Sequence, residues 1–303
     1  MLNKLITNIL PHLPKKMVWI FSKRYIAGET IEEGLSASKQ LNAEKIEVTV
    51  DLLGEFIKTV SEADDHKNQY LKIIERFTDA GIKGTFSIKP TMFGLLIDED
   101  VCYKFMREIV EFAAKKNSFV RIDMEDSQCV DMELEIFKKL KKEFPENVGI
   151  VLQAYLRRTF NDLRSLKELQ TESGTVNVRL CKGIYIESEK IAFKNPQKIR
   201  DHYLEDLEYM LMNKMYVGIA THDKYLIENA FKLIEKHQVK KTGYEFQMLY
   251  GVTPELRQTI VNEGHLMRVY VPFGKHWFNY STRRLKENPK IANHIIKALF
   301  VRG

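Results

Sequence analysis

Short runs rich in β-branched and aromatic residues recur along the chain from residue 46 to residue 271. Most of them are apolar at consecutive positions, which is typical of parallel strands that are buried on both faces. The pattern predicts eight such strands: Ile46–Leu52, Gly84–Lys89, Ser118–Met124, Val148–Tyr155, Val176–Lys182, Tyr216–His222, Tyr244–Leu249 and His265–Val271.

Segments with apolar residues at helical spacing lie between these strands. Pro254 suits the start of a helix, and Gly81 and Gly264 suit helix ends before a strand. The predicted helices include residues 29–44, Lys104–Lys116, Met132–Lys142, Tyr203–Lys214, Tyr225–His237 and Pro254–Glu263. The repeated strand–helix alternation predicts an α/β fold, a (βα)8 barrel. We expect residues 46–303 to form this barrel and residues 1–45 to be a helical N-terminal extension.

Composition narrows the class of protein. The 44% hydrophobic content supports a folded core rather than disorder. Cys102, Cys129 and Cys181 are far apart and match no metal spacing, which predicts reduced thiols in a cytoplasmic protein and no metal site. No apolar run approaches the roughly 20 residues that cross a bilayer. The net charge of +6 is modest, and no nucleic-acid recognition motif occurs, so we expect no nucleic-acid partner.

The first 28 residues differ in charge from the rest of the chain. They contain four lysines, one arginine and many apolar residues, including Trp19, but no Asp or Glu. A basic apolar segment of this kind can lie on an anionic membrane surface. It can equally be a helical cap packed on the barrel. Both readings stay open at this point, so the predicted location is the cytoplasm, with peripheral contact at the inner face of the cell membrane as one option.

Polar residues occur at or near the ends of almost every predicted strand. In a barrel the C-terminal strand ends build the active site, so these residues should converge. Taken singly, each has a plain structural explanation: Asp51 and Glu125 could be internal salt-bridge partners, and His222 could be a satisfied core histidine. Together they indicate a catalytic or cofactor-binding barrel. The set comprises Asp51, Lys89, Asp123, Gln153, Arg179, Lys182, Thr221, His222, Glu245, Gln247, Arg268 and Tyr270.

The segment from Tyr270 to Leu285 is predicted to be a strand end, a Pro/Gly turn and a helix with adjacent arginines, Arg283 and Arg284. An isolated Arg-Arg pair is usually a solvated surface charge. With Lys89, Arg179 and Lys182 it forms a cationic set, which predicts an anionic occupant, a carboxylate or a phosphate. No Rossmann, Walker, HExxH or CxxC motif occurs.

Several of these segments, in this order, resemble the proline dehydrogenase family, in particular its compact monofunctional bacterial type. The resemblance covers roughly residues 46–289 and draws on all eight strands. It rests on Leu52-Leu53-Gly54-Glu55, Ser87-Ile88-Lys89-Pro90-Thr91, Asp123-Met124-Glu125, Leu152-Gln153-Ala154-Tyr155, Val178-Arg179-Leu180-Cys181-Lys182-Gly183, Ala220-Thr221-His222-Asp223, Glu245-Phe246-Gln247-Met248-Leu249-Tyr250-Gly251 and the segment from Tyr270 through Arg283-Arg284-Leu285.

The resemblance implies a barrel that holds FAD at the strand C-termini and oxidises L-proline to Δ1-pyrroline-5-carboxylate. Hydride would pass from proline C5 to flavin N5, and the electrons would go to a membrane quinone. A pyrroline-5-carboxylate dehydrogenase is the implied functional partner, because the pathway continues to glutamate.

The resemblance also implies roles for individual residues. Lys89, Arg283 and Arg284 would bind the proline carboxylate, and Tyr270 and Leu249 would wall the ring. A tyrosine at position 270 implies proline rather than hydroxyproline as substrate. Asp123 would lie beneath the flavin, Arg179 near its N5 edge, and Glu55 would pair with Arg283 to close the site. The implied flavin contacts are Met124, Gln153, Arg179, Lys182, Gly183, Ile184, Thr221, His222 and Gln247.

Two other functions remain compatible with the sequence. A strand-end lysine, Lys89 or Lys182, could be the nucleophile of a Schiff-base lyase acting on an anionic carbonyl compound. Alternatively, the basic N-terminus could make the protein a membrane-surface scaffold without catalysis. Convergent polar strand ends argue against the scaffold.

Overall fold

The computed structural model describes residues 18, 19, 22–54, 57–172, 174–278, 280 and 281. Within them, eight parallel strands close into a barrel in which every strand pairs with its sequence neighbours and the last pairs with the first. The predicted barrel is therefore confirmed. The strands are β1 (Glu47–Leu52), β2 (Gly84–Ile88), β3 (Val120–Ile122), β4 (Val148–Gln153), β5 (Asn177–Cys181), β6 (Tyr216–Ala220), β7 (Tyr244–Leu249) and β8 (Met267–Phe273).

Helices precede β1 and then follow the first seven strands on the outside of the barrel. They are α1 (Ile31–Ala43), α2 (Val60–Asp79), α3 (Glu99–Lys115), α4 (Val130–Glu143), α5 (Thr159–Lys167), α6 (Pro196–Met212), α7 (Lys224–Lys236) and α8 (Pro254–Asn262), with a short 3-10 helix at Pro90–Phe93. Pro254 is the first residue of α8, as predicted. Gly81 and Gly264 adopt φ of +68° and +76° just beyond α2 and α8, a backbone conformation that favours glycine at helix ends.

The helix caps explain where several helices begin. Thr30 and Glu33 form a reciprocal capping box at α1, in which each side chain accepts from the other residue's backbone N–H. Asn195 and Asp223 cap α6 and α7. The strand interiors and the inner helix faces then form a hydrophobic core that also includes Ala37 and Leu41 of α1. The division of the chain at residues 45 and 46 stays a prediction.

The end of β8 differs from the sequence prediction. Pro272 and Phe273 belong to the strand and pair with Asp51 and Leu52 of β1, so the turn begins only at Gly274. The proline fits there because a missing N–H is tolerated where no ladder bond needs it.

A clasp joins the start of the described chain to the segment after β8. We define it as Ala27–Glu29 together with Pro272–Trp277. Ala27 N–H donates to Pro272 O at 2.9 Å, Gly274 N–H donates to Gly28 O at 3.0 Å, and Trp277 Nε1 donates to Glu29 Oε1 at 2.5 Å. The Trp277 ring also packs on Trp19 with 4.6 Å between centroids. Residues 1–17, which hold much of the basic segment, lie outside the described part.

Candidate active site

A cavity of about 470 Å³ lies at the C-terminal ends of the strands. Thirteen of the predicted site residues line it: Lys89, Asp123, Met124, Gln153, Arg179, Lys182, Gly183, Ile184, Thr221, His222, Gln247, Leu249 and Tyr270. The remaining three, Glu55, Arg283 and Arg284, lie outside the described residues. The structure thus brings together every predicted site residue that it describes, while their roles stay predictions.

An ion-paired cluster forms the floor of this cavity. Lys89 Nζ lies 2.6 Å from Asp51 Oδ1 and 3.4 Å from Asp123 Oδ2. Tyr270 Oη donates to Asp123 Oδ2 at 2.8 Å and lies 3.1 Å from Lys89 Nζ. Arg179 Nη1 donates to Asp123 Oδ1 at 2.8 Å. Two cations and two carboxylates are therefore held together by side chains from five strands or strand ends.

Neutral side chains fix the Arg179 end of the cluster. Arg179 Nε donates to Gln247 Oε1 at 2.6 Å, and its Nη2 lies 3.4 Å from Thr49 Oγ1. Ser87 Oγ donates to Asp123 Oδ1 at 2.5 Å. The guanidinium carbon of Arg179 lies 5.1 Å from the Tyr270 ring centroid, within cation–π range. Arg179 is thus held in one orientation before any ligand binds.

Burial and mutual charge set the protonation of the cluster. Burial raises the pKa of Asp51 to about 6, against the opposing charge of Lys89. Burial also acts to raise the pKa of Asp123, but Lys89 and Arg179 outweigh it and hold that pKa below its ordinary value. For Lys89, burial acts downward, yet the neighbouring carboxylates raise its pKa well above the ordinary value. Lys89 is therefore an ammonium ion in the resting site.

The wall that contains Gln153, Lys182 and His222 is held by hydrogen bonds to backbone groups and by one ion pair. Gln153 Nε2 donates to Glu125 O at 2.8 Å. His222 Nε2 accepts from Leu249 N–H at 2.9 Å, which fixes the ring against β7 and leaves Nδ1 as the protonated nitrogen of neutral imidazole. Lys182 Nζ pairs with Asp223 Oδ2 at 3.1 Å, although 43% of the Lys182 side chain is exposed.

Gly183 sits where only a glycine fits. Its φ is +98°, and a Cβ there would fall 2.1 Å from the Tyr155 ring. The backbone between Lys182 and Ile184 therefore passes directly over Tyr155 at the edge of the cavity.

The sequence analysis does not assign several residues of the site to it. Asp51 is recognised in the sequence only as a polar strand end with a plain explanation, and Ser87 appears only as part of a motif. Thr49 and Tyr185 carry no signal in the sequence beyond their position at β1 and after β5. Tyr185 lines the cavity, as do the apolar side chains of Val151, Ala220 and Met248.

The prediction that the polar strand residues share one end of the barrel is wrong for Glu245 and Arg268. Each is the second residue of its strand, and they form a buried pair at the amino end, with Arg268 Nη2 2.8 Å from Glu245 Oε2. Arg268 also reaches Glu47 Oε2 at 2.7 Å. Gln247 connects the two ends, since its Nε2 donates to Glu245 Oε1 at 2.5 Å while its Oε1 accepts from Arg179.

Comparison with known proteins agrees with this geometry. The family model described as proline dehydrogenase matches residues 35–296. The chain belongs to the proline dehydrogenase family. It is 35% identical to proline dehydrogenase 1 of Bacillus subtilis over 92% of this chain and 90% of that protein. It is 34% identical to proline dehydrogenase of Deinococcus radiodurans over 95% of this chain and 92% of that protein.

A solved structure supports the family assignment. Proline utilization A (PutA) from Bdellovibrio bacteriovorus, inactivated by N-propargylglycine, superposes with a TM-score of 0.83 at 30% identity. The match covers 88% of this chain and 32% of that one, so this chain spans about a third of the PutA protein. As a member of the proline dehydrogenase family, the protein is an oxidoreductase acting on a CH–NH bond.

Family membership decides between the functions that the sequence left open. A Schiff-base lysine attacks as the free amine, whereas Lys89 is held as an ammonium ion between two carboxylates. Membership of the proline dehydrogenase family sets aside both the lyase, with either Lys89 or Lys182, and the non-catalytic scaffold. Among the described helices, none is long and apolar enough to cross a membrane. No group of His, Cys, Asp and Glu in the described part of the chain could hold a metal ion.

Proposed function

We propose that this proline dehydrogenase uses FAD to oxidise L-proline to Δ1-pyrroline-5-carboxylate and passes the electrons to a membrane quinone. The observation that carries the proposal is the cavity itself. It combines fixed cations on its floor with apolar walls. A small amino acid carboxylate needs the cations, and a flat ring system needs the walls.

The substrate carboxylate would bind at the cationic side of the cavity. Lys89 is the described cation nearest to this position, and only 9% of its side chain is exposed, so its charge is poorly screened. Arg283 and Arg284 are proposed to complete the clamp, and Glu55 to pair with Arg283 over the bound substrate. Three donors around one carboxylate would also orient the ring.

The proline ring would lie between the cofactor and the Tyr270 and Leu249 side chains. Tyr270 is well placed for this, because its hydroxyl is fixed by Asp123 and Lys89 while its ring borders the cavity. A fixed ring edge leaves little room for a hydroxyl group on the substrate. We therefore propose proline rather than hydroxyproline.

The residues at the other wall fit a flavin. Met124, Gln153, Lys182, Gly183, Ile184, Thr221, His222 and Gln247 all line the cavity and are proposed to hold FAD. FAD would accept the hydride from C5 of proline at its N5 atom. Hydrogen bonds to Gln247 and Asp123 keep the Arg179 guanidinium in position. This fixed cation would stabilise the negative charge that develops on the flavin ring. Asp123 in turn holds Arg179, Tyr270 and Lys89 in one arrangement.

The partners and the location of the protein follow from this reaction. The product would pass to a pyrroline-5-carboxylate dehydrogenase, and the quinone acceptor would bring the protein to a membrane surface. We propose a cytoplasmic protein with peripheral contact at the inner face of the cell membrane.

Deleting residues 1–17 should lower the binding of the protein to vesicles of anionic lipid if this segment makes the membrane contact. Unchanged binding would show that residues 1–17 do not make it.

Anaerobic titration with L-proline tests the proposed function. The purified protein should be yellow, with absorbance near about 450 nm that bleaches in proportion to the proline added. Addition of a quinone should restore the colour. Borohydride with substrate should not trap a covalent adduct. A colourless protein, or one that no amino acid bleaches, would overturn the proposal.

Replacing Arg284 by methionine should raise the KM for proline by at least about tenfold. A charge-assisted hydrogen bond is worth roughly 1.5–3 kcal/mol, and about 1.4 kcal/mol corresponds to a factor of ten. Steady-state kinetics with proline measures the effect, and Arg76→Met on the surface of α2 is the matched control. An unchanged KM would remove Arg284 from the carboxylate clamp.

Replacing Tyr270 by serine should raise the turnover of hydroxyproline relative to proline. The smaller side chain opens space beside the substrate ring, while a hydroxyl group remains. The ratio of kcat/KM for the two substrates measures this change. If the ratio stays at the wild-type value, Tyr270 does not set substrate choice.

A further inference from the structure

Asp51 is a buried carboxylate in the site that the proposed reaction leaves without a role. It lies at the fifth position of β1, with its side chain 1% exposed. Its Oδ1 accepts from Lys89 Nζ at 2.6 Å. Its Oδ2 is buried and has no hydrogen bond of good geometry among the residues that the structure describes, although the Tyr270 hydroxyl is close enough to lower the pKa of Asp51. A buried carboxylate oxygen without a donor is costly when it is charged.

The surroundings of Asp51 make its charge sensitive to a ligand. Lys89 on β2's end, Asp123 after β3, and Tyr270 on β8 all face it, and Tyr70 of α2 lies behind it. Arg179 belongs to the same cluster through Asp123. Within the described residues, the charges of Lys89 and Arg179 balance those of Asp51 and Asp123. A ligand carboxylate beside Lys89 adds a negative charge next to this buried, balanced group, and the proposed contacts of Arg283 and Arg284 with the same carboxylate would offset part of that charge.

We propose that Asp51 takes up a proton when a five-membered-ring ligand binds with its carboxylate beside Lys89. During turnover, this proton comes from the amine of the substrate. The second half rests on the proposed function. The first half concerns ligand binding alone and can be tested without turnover.

Hydrogen bonding favours Asp51 over Asp123 as the proton acceptor. Asp123 is contacted by Ser87, Arg179, Tyr270 and Lys89, all within 3.4 Å, which stabilises its charged form. Among the described residues, Asp51 has one hydrogen bond of good geometry, from Lys89 to Oδ1, and a weaker interaction with the Tyr270 hydroxyl. The pKa values follow the same order, raised to about 6 for Asp51 and lowered for Asp123. A further negative charge nearby raises the pKa of Asp51 again.

The proton balance also suits the oxidation. L-proline enters with a protonated amine, and hydride can leave C5 only when the nitrogen has a lone pair. Lys89 Nζ gives a proton to Asp51, forming an O–H bond, and takes one from the substrate amine, whose N–H bond breaks. Lys89 ends as it began, as an ammonium ion. Asp51 then acts through Lys89 and never touches the substrate.

Binding of tetrahydrofuran-2-carboxylate to the FAD-loaded protein tests the first half. This probe has an oxygen in place of the proline nitrogen, so it carries no amine proton. Titration calorimetry at about pH 7.5, in two buffers of different ionisation enthalpy, should show uptake of close to one proton per ligand. Asp51→Asn should reduce the uptake to near zero, while Asp65→Asn, exposed on α2, should keep it.

The wild-type affinity gives a second measurement that does not depend on a variant folding. Because binding takes up a proton, the Kd of the probe should rise about tenfold per pH unit above the raised pKa of free Asp51, between about pH 6.5 and 8.5. A pH-independent Kd, or full proton uptake in a folded Asp51→Asn, would overturn the inference.

Turnover tests the second half. The acid limb of the proline kcat/KM profile should reflect Asp51 and disappear in Asp51→Asn; an acid limb that persists in this variant overturns the relay. A protein that proline does not reduce, but that takes up a proton with the probe, would instead refute the proposed function and leave the first half standing.

Discussion

Replacing Lys89 by methionine should lower kcat/KM for proline by at least about 100-fold, which is roughly 2.7 kcal/mol. Two losses add to this effect. The substrate carboxylate loses a charge-assisted contact worth roughly 1.5–3 kcal/mol. In addition, Asp123 keeps only one of its two neighbouring cations, Arg179, and repels the incoming carboxylate more strongly.

Steady-state kinetics with proline checks this result, and the flavin content of each preparation must be equal. Lys72→Met on the exposed face of α2 is the matched control and should keep wild-type kcat/KM. Activity of Lys89→Met within tenfold of wild type would contradict the assigned place of Lys89.

Replacing Arg268 by methionine should lower the free energy of unfolding by about 3–5 kcal/mol, because it leaves Glu245 charged and unpaired inside the barrel. Arg268 donates to Glu245 through both Nε and Nη2. The remaining donors to Glu245 are Tyr216 and Gln247, which are neutral. Urea unfolding of the FAD-loaded variants measures the change.

The double variant Glu245→Leu with Arg268→Met distinguishes the cost of losing the ion pair from the cost of leaving Glu245 charged without a partner. It removes both members, so it should be at least about 1 kcal/mol more stable than Arg268→Met alone. The surface pair of Arg76 and Glu32, at 49% and 67% side-chain exposure, is the matched control, and Arg76→Met should cost about 1 kcal/mol or less. A loss below about 1 kcal/mol for Arg268→Met would show that Glu245 is relieved in another way.

The sequence predicts all eight strands because parallel strands buried on both faces are continuous apolar runs. The sequence gives no bounds for two helices, α2 and α5, although it predicts that a helix ends before Gly81. The buried positions of α2, which include Tyr70, Ile73 and Phe77, do have helical spacing, but charged residues between them dilute the signal. Helix α5 has nine residues with only three buried, too few for a clear period.

The cavity lining is predicted largely because strand order in a barrel fixes which residues become neighbours. The sequence does not predict in the same way which of these side chains form ion pairs with each other. Asp51 and Asp123 are both acidic residues at strand ends, and the sequence does not show that Lys89 lies 2.6 Å from the first and 3.4 Å from the second. Glu245 and Arg268 are misplaced because a polar residue near either end of a short strand looks the same in the sequence.

The clasp between Ala27–Glu29 and Pro272–Trp277 has a thermodynamic consequence. It joins the N-terminal extension to the chain that leads from β8 towards Arg283 and Arg284. Whatever stabilises one half of the clasp lowers the free energy of ordering the other half, and such coupling is reciprocal. We expect a substrate carboxylate held by the two arginines to protect the amides of Ala27 and Gly274 from hydrogen exchange. In the same way, an anchor on the N-terminal extension would tighten substrate binding at a distance.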